Sequence, residues 1–197
     1  MILWTVQTPE AVAVLHRTGL LVADADEPEA HFRPAYRWMA RKMRQQIGKP
    51  PVSSARPLWA WHRWQGRRAR PDLRSSGHLP QGGRGARIEF AAEPSTVLLS
   101  DFSLWHHVLN YWYLPASLKD EKAFETTLKE AGLDFFKTKP LPDPAFHRLI
   151  EASWERIFDL DLVVRRITDP RAERSVQAAF WVLPLEAVRE ITWFIAR

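Results

Sequence analysis

The sequence predicts an α+β fold, a small mixed or antiparallel sheet with helices packed around it, on three observations. Short apolar runs rich in β-branched and aromatic residues recur along the chain, as strands do. Between them lie segments with apolar residues at three- and four-residue spacing, the period of an amphipathic helix. The chain has 197 residues, 46% of them hydrophobic. That length suits one domain, here 1–197, with no internal repeat or linker to divide it.

The elements follow in order. Ile2 to Gln7 reads as a strand. Thr8 is an N-cap with Pro9 at the first helical position and Glu10 in the first turn, and Gly19 closes that helix. Leu20 to Ala23 reads as a second short strand, and Asp24 to Glu29 as an acidic turn. Phe32, Tyr36, Met39, Met43 and Ile47 mark an amphipathic helix that leaves Arg33, Arg37, Arg41, Lys42 and Arg44 mostly to solvent. Leu58 to Trp64 is a strand with Trp59 and Trp61 on one face. Arg87 to Ala91 and Thr96 to Ser100 are two more. Asp101 or Ser103 caps a helix through Trp112, Ser117 starts a charged helix ending near Gly132, and Asp143-Pro144 opens another. Val176 to Leu183 reads as a buried strand, and Pro184 as the start of an amphipathic helix to the C-terminus.

Composition limits the function classes. There is no Cys, which excludes disulfides and thiolate metal sites and suits a reducing compartment. The first residues lack the basic and apolar regions of a secretory signal, and no apolar stretch approaches the roughly 18 residues of a membrane span. A cytoplasmic protein with no membrane partner is therefore expected. The net charge is +5, which favours anionic partners and also serves solubility.

The charge is unevenly placed. Between Arg56 and Arg87 stand eight Arg, two His and three Trp against one acid, Asp72. Guanidinium groups grip phosphate bidentately, and Trp faces stack on bases or on Arg. Gln65 to Gly85 holds five Gly and two Pro, and irregular stretches of such length are usually functional or disordered. A phosphate or nucleotide site with Arg70, Arg74 and Arg87 as anion ligands and Trp59 and Trp61 as stacking platforms follows. A solvated basic loop whose Trp residues belong to the core also fits. The run Gly82-Gly83-Arg84-Gly85 offers amides to an anion but lacks the Lys-Ser/Thr of a P-loop. Elsewhere His106 and Asn110 share a helical face beside Asp101, a pattern for acid–base work by His106 or His78 or for a cap with half-buried imidazoles. Too few ligands accompany them for a metal. Glu151 and Glu155 share a face and read as solvated.

Several of these segments resemble a bacterial family catalogued only as a domain of unknown function. They include Trp59-Ala60-Trp61, Arg70-Pro71-Asp72-Leu73-Arg74, Gly77-His78-Leu79-Pro80, Leu99-Ser100-Asp101-Phe102 and Trp154-Glu155-Arg156-Ile157-Phe158, and the resemblance spans nearly the whole chain. More distantly, Trp4-Thr5-Val6-Gln7-Thr8 with the helix ending in Gly19-Leu20 is similar to the start of DNA-targeting ADP-ribosyltransferase toxins. The closing strand, Pro-Leu step and terminal helix look like theirs too. That resemblance implies an opening strand that meets NAD through Thr5 and a catalytic Glu near Ala179, where this chain has only Gln177 for polar contact. The expectation is thus a site for NAD, another nucleotide or nucleic acid, with transferase chemistry on a degenerate site. The alternatives are a non-catalytic nucleic-acid or partner-binding module and a structural protein with surface arginines.

Overall fold

The computed structural model describes residues 1–23, 30–75, 77–134 and 139–197; the acidic turn read at Asp24 to Glu29 lies outside them. The opening unit forms as its local signals dictate. Strand β1 (Ile2–Gln7) leads into helix α1 (Pro9–Thr18), where the Thr8 hydroxyl accepts from the Ala11 amide and Gly19 closes the helix at φ 76°. Then come β2 (Leu20–Leu21), α2 (Arg33–Gln46), β3 (Leu58–Arg63), β4 (Arg84–Ala91) and β5 (Leu98–Asp101). Helices α3 (Phe102–Leu109), α4 (Leu118–Glu130) and α5 (Pro144–Ser153) follow, and strands β6 (Val176–Phe180), β7 (Leu183–Pro184) and β8 (Val188–Ile195) finish the fold.

Six strands form one antiparallel sheet in the order β5-β6-β3-β1-β4-β8, and β2 pairs with β7 beside it. One face packs under α1, with Leu3, Leu58, Ala60, Ile88, Phe90 and Phe180 against Val12 and Leu15. The other carries a larger core in which Met39, Met43, Leu104, Trp105, Ile150 and Ala179 meet. Trp38 stands edge-on to Trp154 with ring centroids 5.6 Å apart, and both are fully buried. Among the described residues no helix is long and apolar enough to cross a membrane.

The C-terminal segment departs from expectation. Pro184 opens no helix; after a 3₁₀ turn the chain runs as β8, paired with β4 from Arg84↔Ile195 to Phe90↔Val188. Val188 to Ile195 is dominated by β-branched and aromatic residues, and those suit a pleated surface better than a helix. The terminal helix that the transferase likeness implies is thus a strand here. Helix α3 also stops at Leu109 rather than Trp112, because Tyr111 takes a positive φ of 56° that no helix accommodates.

The long stretch after β3 is ordered by specific bonds. Gln65 and Gly66 donate their amides to Ser175 Oγ and the Arg174 carbonyl. A Cβ on Gly66 would meet the Ala172 carbonyl, so this close approach of two backbones requires glycine. Further on, the Gly82 amide is spent on the Ala196 carbonyl and that of Gly83 on Pro80. The glycine run is a turn and not an anion cradle.

Candidate functional site

Strand β3 builds the floor of the site. Its side chains alternate, so Leu58, Ala60 and His62 are buried while Trp59, Trp61 and Arg63 stand on the opposite face. Across the pairings Trp61 lies beside Trp4 and Gln177, and Trp59 beside Ala179. Helix α3 lowers Phe102, Trp105 and Leu109 over this face at three- and four-residue steps, and α2 adds Tyr36. Together with Gly77 and His78 of the loop they enclose a cleft of about 470 Å³. Its rings touch at edges and tilts, Trp59–Trp105 at 5.1 Å, Trp61–Phe102 at 4.8 Å and Tyr36–Trp59 at 6.0 Å between centroids.

The position of α3 depends on a buried ion pair. Asp101 caps the helix by accepting from the Leu104 amide, and its other oxygen lies 3.1 Å from Arg174 Nε. Both residues are at most 1% exposed. The same guanidinium donates to the carbonyls of Leu160, Leu162 and Asp169, so it ties the segment before β6 to the start of α3. Burial pushes the Asp101 carboxyl up, opposed by the Leu104 amide and Arg174.

Of the residues singled out from sequence, Trp59, Trp61, His78 and Gln177 meet in the cleft. His78 Nε2 lies 2.9 Å from the Asp72 carbonyl, and its ring rests against Trp64 and Phe194. Gln177 is 5% exposed and donates to Ser100 Oγ. Thr5 is behind the sheet floor, on Leu3's face by alternation, where its hydroxyl donates to the Trp59 carbonyl and accepts from Gln7. Asp101 does not orient His106. Its carboxylate serves the cap and Arg174, while His106 is exposed with Nδ1 at 3.0 Å from the Phe102 carbonyl. Asn110, also exposed, donates to the His106 carbonyl as the end of α3.

The three arginines expected as anion ligands, Arg70, Arg74 and Arg87, are engaged within the fold. Arg74 grips Asp72 through Nε and Nη2 at 2.7–3.1 Å and holds that carboxyl well below the usual carboxylate range. Arg87 is 7% exposed and donates to the Pro71 carbonyl and Thr192 Oγ1. Burial, then the nearby Arg70, lowers its pKa. Arg70 stands 3.9 Å from Glu190. These three line a separate shallow hollow with Asp72 and Glu190.

Sequence reasoning passed over a second basic surface. Arg33, Arg37, Ala40 and Arg44 share one face of α2 and look across a pocket of about 230 Å³ at Ser53, Ser54, Ala55 and Arg56. Their four-, three- and four-residue steps were the signal, hidden because solvated arginines on an amphipathic helix look alike. Tyr36, taken as a core position of α2, lines both this pocket and the aromatic cleft. Trp105, counted with the helix core, walls the cleft too. Glu151 and Glu155 are not free but pair with Arg41 and Lys42. Among the described residues no three His, Asp or Glu side chains gather as metal ligands.

A family model described as "Domain of unknown function (DUF3841)" matches residues 2–189, a span that contains every lining residue of the cleft. No curated protein and no solved structure matches the chain.

Proposed function

We propose that this chain, which belongs to the DUF3841 family of unknown function, binds a nucleotide-class ligand with its planar ring in the aromatic cleft over β3. One observation carries the reading, the make-up of that cleft. Tyr36, Trp59, Trp61, Phe102 and Trp105 supply ring surface, Gln177 and His78 supply the few polar groups, and no carboxylate lines it among the described residues. Small-molecule sites have this composition and a volume of roughly 300–1,000 Å³. Stacking on such rings is worth about 1–3 kcal/mol per base.

The same cleft argues for binding over glycosidic cleavage. A transferase that takes ADP-ribose from NAD stabilises a cationic transition state with a carboxylate. Ala179, at the likeness's Glu position, is fully buried between Trp59 and Leu98 in the pairing. Glu89 and Asp101, the other acids considered for the cleft, are taken by Trp4 Nε1 and by Arg174. Gln177 is polar but neutral. NAD thus binds without fast release of nicotinamide on this reading.

Calorimetry and tryptophan fluorescence with adenosine, ADP, NAD and a short single-stranded DNA test it. Saturable binding of a mononucleotide or NAD, weakened by Trp61→Leu, is the expected result. Binding of the DNA alone, falling steeply with salt, moves the chain to the nucleic-acid module class. Silence from every probe overturns the nucleotide reading. A nicotinamide-release assay on wild type and Gln177→Glu addresses chemistry, with release expected from neither or from the variant only; Ala179→Glu would instead bury a charge in the core.

A further inference from the structure

Among the described residues the aromatic cleft has no Lys or Arg in its lining, so a phosphate-bearing ligand needs a cation from a neighbouring surface. Two basic regions are candidates, and they differ in what the arginines that line their hollows already hold, Arg70, Arg74 and Arg87 in one and Arg37 and Arg44 in the other. In the loop Arg74 is taken by Asp72, Arg87 by Pro71 and Thr192, and Arg70 faces Glu190. Among the described residues the α2 pocket is lined by four arginines, Arg33, Arg37, Arg44 and Arg56, and by no acid, and Arg33 and Arg56 already hold contacts of their own. Arg37 and Arg44 are exposed and have no carboxylate partner among the described residues. Arg41 and Lys42, further round the same helix, pair with Glu151 and Glu155. On this helix Arg41 and Lys42 are thus neutralised by carboxylates, and Arg37 and Arg44 are not, among the described residues.

Two further features suit an anion. The turn Val52–Ala55, closed by a 3.0 Å amide-to-carbonyl bond, presents Ser53 and Ser54 across from the arginines. Arg44 lies over the Trp181 ring at 5.9 Å, which limits the guanidinium's freedom before any ligand arrives. Between pocket and cleft stands Tyr36. It lines both, and its hydroxyl has no hydrogen-bond partner among the described residues. Burial raises its pKa, so the phenol keeps its proton and remains a donor.

We propose that the α2 pocket is the phosphate subsite of the ligand whose ring the cleft takes, with Arg37 and Arg44 gripping a diphosphate and Tyr36 donating at the junction. This rests on the nucleotide reading of the cleft. Guanidinium forks match phosphate oxygens bidentately, and a lone ammonium does not. The ligand class is therefore a nucleoside diphosphate or a dinucleotide, spanning from α2 past Tyr36 to Trp59 and Trp105.

The test uses pyrophosphate, adenosine and ADP as separate probes on the whole chain. Arg37→Ala with Arg44→Ala is compared with Arg70→Ala with Arg74→Ala, and with Arg148→Ala with Arg189→Ala as an equal loss of charge elsewhere. The first pair is expected to weaken ADP by about 100-fold, near tenfold per charge-assisted contact, and to leave adenosine unchanged. The other pairs change ADP binding by no more than about threefold, the screened effect of distant charges. Unchanged circular dichroism and melting in all three keep folding out of the reading. Full ADP affinity in the α2 variant overturns the subsite while leaving the cleft reading intact, and loss in the loop variant instead moves the phosphate to Arg70 and Arg74. If wild type binds neither ADP nor adenosine, the cleft reading falls and pyrophosphate decides alone: binding lost in the α2 variant sustains the subsite, and no binding removes it.

Discussion

At the loop between β3 and β4, Arg70, Arg74 and Arg87 face acceptors of the fold, whereas along α2 Arg37 and Arg44 line a pocket with no acid among its described residues. The loop contributes Arg70, Arg74 and, from the strand beneath it, Arg87, each within reach of an internal acceptor. The α2 row has the same residue type at a similar density, yet Arg37 and Arg44 have no carboxylate partner among the described residues. The difference teaches that a count of guanidinium groups does not locate an anion site. What matters is whether carboxylates and carbonyls of the fold reach them first, because a charge already hydrogen-bonded inside gains little from a ligand.

Arg174 is the extreme of the committed kind, and its replacement is the strongest way to break the comparison. Arg174→Ala leaves Asp101 buried without its cation and three carbonyls without a donor. A loss of about 3–5 kcal/mol is expected, the usual cost of removing one partner of a buried pair. Urea unfolding measures it; a loss as small as that of a surface substitution means the pair does not hold α3 in place.

Arg87→Ala comes next. It strips the Pro71 carbonyl and Thr192 of a buried donor, with an expected cost of about 1–3 kcal/mol. Affinity for ADP should stay near that of wild type, since the guanidinium serves the loop. The reverse pattern, full stability with lost binding, would return Arg87 to the ligand site.

Acidification reads the loop's charge through His62. Burial lowers its pKa first, then the charges of Arg68 and Arg63 and the amino terminus; burial and then His106 lower that of His107. The unfolded chain takes these protons near pH 6.5, before the folded protein does. Stability from both histidines is therefore complete above about pH 6.5 and is lost as the pH falls below it toward the folded values. The melting temperature should drop between pH 7.5 and 5.5, less in His62→Gln, and Arg68→Ala should shrink the drop by removing a neighbouring cation. A flat profile in wild type contradicts the assignment.

The smallest effect belongs to Arg74. Its bidentate contact with Asp72 looks strong, but the pair is solvent-exposed and screened, and exposed ion pairs contribute little. Arg74→Ala should melt with wild type at both low and high salt, as differential scanning calorimetry can check. A clear destabilisation would give the loop's surface charges a structural role.

Much of this was legible before any fold was known. Thr8, Asp101, Ser117 and Asp143 cap their helices as their residue types suggest, since a cap is a bond between near neighbours in the chain. The face of β3 that carries Trp59 and Trp61 follows from the two-residue period alone. Pro184 misled because a proline before an apolar, charge-spaced run suits a helix start, and only pairing with β4 made the segment β8. His106 and Asn110 were legible as neighbours on α3, but their exposure was not.

The amino-acid sequence by itself determined the element types that depend on local bonds, the absence of cysteine chemistry, and the alternation that puts two tryptophans on one side of a strand. Only the tertiary structure decided what faces them. Tyr36, His78, Trp105 and Gln177 reach the cleft from four separate segments, and Asp101 finds Arg174 across a long stretch of chain. The physical reason is that caps and periodicity are interactions over a few residues. Convergence and charge pairing depend on which strands lie side by side, and the β5-β6-β3-β1-β4-β8 order is a property of the whole buried core.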